Sequence, residues 1–274
     1  VSLDQEVKAT HQTVERVRRA MNGGELRLFY QPKVNMRSGA VLGFEALLRW
    51  QHPLRGLVPP AQFLPLVEQT DLIVDIGEWV IEQAMAQMQH WQQAGYRWSV
   101  SVNIAARHFQ RADFVERLRL LLARHERVAP RMLDLEIVES VAIENIQRVS
   151  ECLEACQQLG VQFSLDDFGT GYSSLSYLKR LPTQTIKIDK SFVRDILHDQ
   201  DDLALTGAVI GLARAFGRQV IAEGVETVEH GELLMGLGCE VAQGYGIARP
   251  MPAEQVPEWA RSYHHQASAP KAVF

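Results

Sequence analysis

Cysteine is scarce in this chain, three residues among 274, and none has the paired CxxC spacing of a zinc site. Cys152 and Cys156 fall on one face of an expected helix and Cys239 in an apolar run, so all three are expected to be buried free thiols. No apolar run approaches the roughly 18 residues that a membrane span needs. The first residues, VSLDQEVKATHQ, lack the basic start and apolar stretch of a signal peptide. A cytoplasmic location without direct membrane contact is expected. An excess of basic charge is also missing: 28 Lys plus Arg stand against 33 Asp plus Glu, a net of −5, which argues against a nucleic-acid polymer as partner. Any small anionic ligand must be attracted by local cations.

What is present is globular composition, 46% hydrophobic and 22% charged. Residues 1–24 read as a polar lead-in helix, with Val7, Val14, Val17 and Met21 at helical spacing before Gly23-Gly24. Two β-rich runs, 26–34 and 40–48, are joined by a link too short for a crossover and predict an antiparallel hairpin. Thr70 is placed to cap a helix whose apolar positions Ile73, Val80, Ala84, Met88 and Trp91 recur at about 3.6 residues, ending at Gly95. Six further short apolar runs then alternate with helical segments near 113–125, 145–159, 173–180, 201–216 and 227–236. Hairpin plus alternation predicts an α/β fold, a (β/α)8 TIM-type barrel over residues 25–262 with one strand antiparallel. No Gly-x-Gly-x-x-Gly follows the first strand, which weakens a dinucleotide-binding sheet. Residues 263–274 show no periodicity and are expected to be a disordered tail.

In such barrels the chemistry stands at the C-terminal ends of the strands. Here those ends carry acids and amides: Asn103, Glu136, Asp166-Asp167, Lys187 with Asp189, Glu223 and Gln243, with Glu45 inside the second hairpin strand. Asp189, ahead of Lys190, is expected to serve as a helix cap or surface ion pair. Carboxylates converging on one mouth repel unless something positive lies between them, and oxygen-only donors favour Mg²⁺ or Mn²⁺ over Zn²⁺ or Cu²⁺. A carboxylate pair at a barrel mouth also describes glycosidases, which need no Asn or Lys in the cluster.

The same positions lie in eight ordered blocks: FYQPKV, FEALLRW, VNIA, LEIVES, LDDFGTGYSSLSYL, IKIDKSF, IAEGVET and AQGYGIARPMP. Over roughly residues 25–255 the chain resembles the EAL domains, bacterial (β/α)8 barrels with one reversed strand that hydrolyse cyclic di-GMP to linear pGpG in second-messenger signalling. The resemblance implies metal ligands at Glu45, Asn103, Glu136, Asp166 and Asp167, with Asp166 bridging two ions. It implies a catalytic lysine at Lys187 and a general base at Glu223. It places Arg49 on a substrate phosphate, and Gln31 and Gln243 beside the bound ligand. Glu139 matches the acid that holds the loop of residues 168–177. Val138 stands where threonine is usual; every acid of the set is present.

Two Mg²⁺ or Mn²⁺ ions are therefore expected, with Ca²⁺ binding but supporting little turnover. The implied partners are cyclic di-GMP, a second copy in a homodimer, and an upstream sensory or diguanylate cyclase domain in a longer parent chain. The alternative is a catalytically weak EAL domain acting as a cyclic di-GMP receptor, against which the complete acid set argues.

Overall fold

The structure is a computed structural model and describes residues 3–169 and 175–267. Its strands are β1 (Leu26–Asn35), β2 (Ala40–His52), β3 (Gly56–Val58), β4 (Ser99–Asn103), β5 (Leu133–Val138), β6 (Gln162–Phe168), β7 (Thr185–Ile188), β8 (Gln219–Ala222), β9 (Val241–Ala242) and β10 (Met251–Pro252). β2, β4, β5, β6, β7, β8 and β9 pair in parallel in that order, and β1 closes the ring by antiparallel pairing to β2 and β9. The result is the expected eight-stave barrel with one reversed strand. β3 extends the end of β2 through Trp50↔Val58, and β10 flanks β1 through Phe29↔Pro252. Both are too short to stand out in the sequence.

Alternation along each stave sorts its side chains. Outward positions such as Phe44, Val100, Leu135, Phe163, Leu165 and Ile186 are buried hydrocarbons beneath the helices. Inward positions are mostly polar, as cross-lumen contacts between strands that are not neighbours demonstrate: Lys187 of β7 reaches Glu45 of β2, and Lys33 of β1 reaches Asp134 of β5. The main core therefore lies between barrel and helices.

Helices Leu3–Asn22, Leu72–Gln93, Phe114–Ala123, Ile146–Gln158, Leu175–Arg180, Gln200–Ala215 and Val228–Leu237 fall where the periodicity placed them. Gly24, at φ +69°, turns the chain from the first of these into β1. Two details differ. Thr70 does not cap the helix at Leu72: its hydroxyl donates to the Val67 carbonyl (2.7 Å), and Asp71 occupies the cap position with no side-chain bond to the helix N–H groups, its carboxylate accepting from Arg107 (2.9 Å). The chain is also helical past 263, in Val256–Ala267. The physical reason is an i,i+4 aromatic pair: Tyr263 stacks on Trp259 with centroids 5.0 Å apart and is buried. The rest of the expected tail, 268–274, and residues 170–174 of the 168–177 loop lie outside the described residues. Cys156 and Cys239 are buried free thiols as expected, and Cys152 is half-buried. Among the described residues no helix is long and apolar enough to cross a membrane.

Candidate active site

Each stave brings one inward side chain to the same end of the lumen. β1 carries Gln31, β2 Glu45, β4 Asn103, β5 Glu136, β6 Asp166 and β7 Lys187, while Glu223 and Gln243 follow directly on β8 and β9. The hairpin register sets Gln31 opposite Glu45, and the parallel register sets Asn103 beside Glu136. Eight residues separated by up to 212 positions thus form one ring.

Lys187 is at its centre. Its Nζ is fully buried and lies 2.7 Å from Glu136 Oε2, 2.8 Å from Glu223 Oε1, 3.2 Å from Asp166 Oδ1 and 3.5 Å from Glu45 Oε2. Burial pulls the lysine pKa down, but the surrounding acids, Glu136 and Glu223 foremost, hold it well above the ordinary value. Lys187 is a permanent cation here.

The acids are not equivalent. Burial raises Glu45, yet the Lys187 charge and amide donors from Gln243 and Asn103 outweigh it and hold the carboxyl near about 2. Asn103 Nδ2 donates to Glu45 Oε1 at 2.7 Å, and Gln243 Nε2 donates both to Glu45 Oε2 and to Gln31 Oε1. Glu136 is pushed well above the carboxylate range by burial and by the charges of Glu45 and Asp166. Burial raises Glu223 to about 7, with Asp166 and Glu45 adding to the effect against Lys187. Asp167 rises to about 6 through burial and the charges of Asp166 and Asp189.

Asp167 is also the one described non-glycine residue at positive φ, +53°. That conformation turns its carboxylate toward the cleft and is the kind of local strain found where function requires it. Its backbone N–H donates to Asp166 Oδ1 at 3.0 Å. Asp166, Asp167 and Glu223 each offer an oxygen within 4.8 Å of the others, the spacing of a cation site. Five ring carboxylates, counting Asp167, face two ammonium groups, Lys187 and Lys33, and Glu136 Oε1 is buried without a hydrogen-bond partner among the described residues. An all-oxygen donor set with surplus negative charge fits a hard divalent cation.

Other expected residues are placed as follows. Glu139 begins the short helix Glu139–Glu144, and its Oε2 accepts the backbone N–H of Gly169 at 3.0 Å. Arg49 lies on the same face of β2 as Glu45, but its Nη1 donates to the Leu48 carbonyl (2.8 Å) and its guanidinium is 5.9 Å from the Phe29 ring centroid. It stands at the rim of the cleft, within electrostatic reach of Glu45 and Tyr245. Asp189 caps helix Lys190–Arg194 by accepting the Ser191 N–H (3.0 Å), and its side chain also contacts that of Asp167. Sequence reasoning missed Lys33 and Tyr245. Lys33 is marked by its two-residue offset from Gln31 on one strand. Tyr245 is exposed, lines the cleft, and is stacked by Arg249 at 4.3 Å, a contact without a signature in the sequence.

Two cavities share this end of the barrel. One, of about 380 Å³, is polar and includes Gln31, Glu45, Asp166, Asp167, Glu223 and Gln243. The other, of about 440 Å³, is lined by Leu47, Pro60, Leu64, Ile73 and Val80 and borders Asn103 and Glu136.

The barrel with one reversed stave thus carries an acid ring around a buried lysine. Residues 14–250 match the EAL domain family, and the chain belongs to it. It is 46% identical over 246 residues to the bifunctional diguanylate cyclase/cyclic di-GMP phosphodiesterase MucR of Pseudomonas aeruginosa, covering 89% of this chain and 36% of that protein. It is 40% identical over 252 residues to the cyclic di-GMP phosphodiesterase PdeR of Escherichia coli, covering 92% and 38%. The chain therefore spans somewhat over a third of these curated relatives. Among solved structures it resembles the PaMucR phosphodiesterase in complex with c-di-GMP, with a TM-score of 0.86, 46% identity, and 89% and 99% of the two chains covered.

Proposed function

We propose that this chain is a metal-dependent phosphodiesterase that hydrolyses cyclic di-GMP to linear pGpG. The observation that carries the proposal is the complete ring, with a buried lysine held by four carboxylates and flanked by a cation-sized acid group. Names of relatives up to 46% identical support the substrate. So does the pairing of a polar cleft, suited to phosphates and ions, with an apolar cavity, suited to a planar base.

Glu45, Asn103, Glu136, Asp166 and Asp167 would hold two Mg²⁺ or Mn²⁺ ions. When bound, such ions offset phosphate charge and make water more acidic. The protein's own groups do the rest. Lys187 presents a fixed positive charge to the scissile phosphate and its attacking water, stabilising the charge that develops. Glu223, with its pKa near 7, is matched to accept the water's proton at neutral pH. Arg49 has the forked donors to hold a phosphate, and Gln31 and Gln243 orient the ligand over Glu45.

Glu139 steadies the segment after Asp167. A homodimer, a cytoplasmic location and an additional sensory or cyclase domain complete the proposal. Incubating purified protein with cyclic di-GMP and Mn²⁺ or Mg²⁺ should release pGpG, and EDTA should abolish the release. Tight binding without any product would identify a receptor instead.

A further inference from the structure

Beneath the acid ring lies a second polar layer. Lys33, Asp134 and Ser164 each stand two residues from a ring member on the same strand face, namely Gln31, Glu136 and Asp166. Lys33 pairs in register with Gly43, one step below Gln31 and Glu45. Gly43 puts no side chain into the lumen, where a Cβ would collide with Ser99. The Lys33 side chain is 6% exposed, and Nζ lies 3.8 Å from Asp134 Oδ2 and 3.9 Å from Glu136 Oε1. Ser164 Oγ donates to Asp134 Oδ2 at 2.6 Å and fixes that acid. Lys33 and Asp134 also line a cavity of about 450 Å³ at the opposite end of the barrel from the acid ring.

Burying an ammonium costs several kcal/mol unless it is well compensated. A lone structural pair with Asp134 would not require the lysine to reach Glu136 as well. Glu136 is bracketed: Lys187 holds Oε2 at 2.7 Å, while Oε1, which accepts no hydrogen bond among the described residues, lies 3.9 Å from the Lys33 ammonium below. Two cations on opposite sides of one carboxylate set its plane. We infer that Lys33, supported by Asp134 and Ser164, is a positioning residue that orients Glu136 for its role in the acid ring. The inference rests on the reading of Glu136 as a metal ligand given above.

The test compares Lys33→Met, an unbranched side chain one atom shorter that loses the charge, with Lys33→Arg, which keeps charge. Mn²⁺ binding to metal-free protein is measured by calorimetry without substrate, alongside kcat and KM at saturating Mn²⁺. Lys33→Met should weaken Mn²⁺ binding and lower kcat by about tenfold each, the lower range for a lost partner of a metal ligand, with KM within about twofold. Lys33→Arg should recover most of both losses. A folded Lys33→Met protein matching wild type in Mn²⁺ binding and kcat overturns the inference. Should Lys33→Met not fold, Lys33→Met/Asp134→Asn removes both charges of the lower pair; undiminished Mn²⁺ binding by that variant also overturns it. Failure of the wild-type protein itself to bind Mn²⁺ would instead sink the metal-ligand reading of the ring, and the inference with it.

Discussion

On β5 the outward side chains Leu133, Leu135 and Ile137 are hydrocarbons with no exposed surface, while the inward Asp134 and Glu136, one position away, are carboxylates shared with lysines from β1 and β7. The other staves repeat the contrast: Leu165 against Asp166, Ile186 against Lys187. Burial of the outer face drives folding at roughly 25 cal/mol per Å² of apolar surface. The inner face opposes folding, since like charges and desolvated ions are retained there only with compensation. The barrel thus separates the residues that stabilise it from those that act, on opposite faces of the same strands.

The separation is broken most directly at Asp166. Asp166→Asn should lower cyclic di-GMP hydrolysis by about 10³-fold. Thermal melting in EDTA should show no loss of stability, because one charge leaves a crowded ring. A melting temperature that falls along with activity would mean that the ring also holds the fold. The converse change is Phe163→Ala, on the outer face of β6, where Phe163 is fully buried with its edge toward Phe109. It should cost about 3–5 kcal/mol of stability in denaturant titration while kcat per folded molecule changes by no more than about threefold.

Proton linkage sharpens the comparison further. Glu223 at about 7 and Asp167 at about 6 lie above their ordinary values of 4.5 and 3.8, so the folded protein binds these protons more tightly than the unfolded chain. Their contribution to stability is complete below pH about 4 and is lost as pH rises through the folded values near 6 and 7. The depressed Glu45 acts only at lower pH, where its contribution disappears toward about 2. In EDTA the melting temperature should therefore fall between pH 5 and pH 8, and saturating Mn²⁺ should flatten the decline by replacing the protons. A melting temperature that rises across that window without metal would refute the assignment.

At the rim the effects are smaller. Arg49→Ala should weaken cyclic di-GMP binding in Ca²⁺ by about tenfold and leave Ca²⁺ affinity unchanged, since a guanidinium binds phosphate but no cation; calorimetry separates the two. Glu139→Ala removes the acceptor of the Gly169 N–H. It should reduce turnover and metal affinity together by about threefold to fivefold, in line with one charge-assisted hydrogen bond beside Asp167. A metal titration of activity that overlays wild type would make Glu139 a structural acid alone.

Much of the barrel was legible because short β-rich runs and 3.6-residue patterns alternate, and because the reversed first strand follows from a five-residue link that no crossover helix could use. Thr70 misled because a hydroxyl before a helix can equally close a turn on a preceding carbonyl. The helical stretch beyond 262 was hidden because its order comes from packing of Tyr263 on Trp259, an interaction of two rings and not of a hydrophobic period. Lys33 went unnoticed because a lysine in a strand ordinarily reaches solvent, and only barrel closure turns it inward against Asp134 and Glu136.

By itself the sequence determined which side chains enter the ring: short apolar runs put Asn103, Glu136, Asp166, Lys187, Glu223 and Gln243 at strand ends and Glu45 inside the second hairpin strand, and the family resemblance added Gln31. Only the tertiary structure decided what each does there. Glu45 is held at about 2 and Glu223 at about 7 although both are glutamates at one barrel mouth. The difference comes from the two amides donating to Glu45 and from the charges of Asp166 and Glu45 that act on Glu223. Charge and desolvation act over distances of a few ångströms through space, and those distances exist only once eight strands have closed around one lysine.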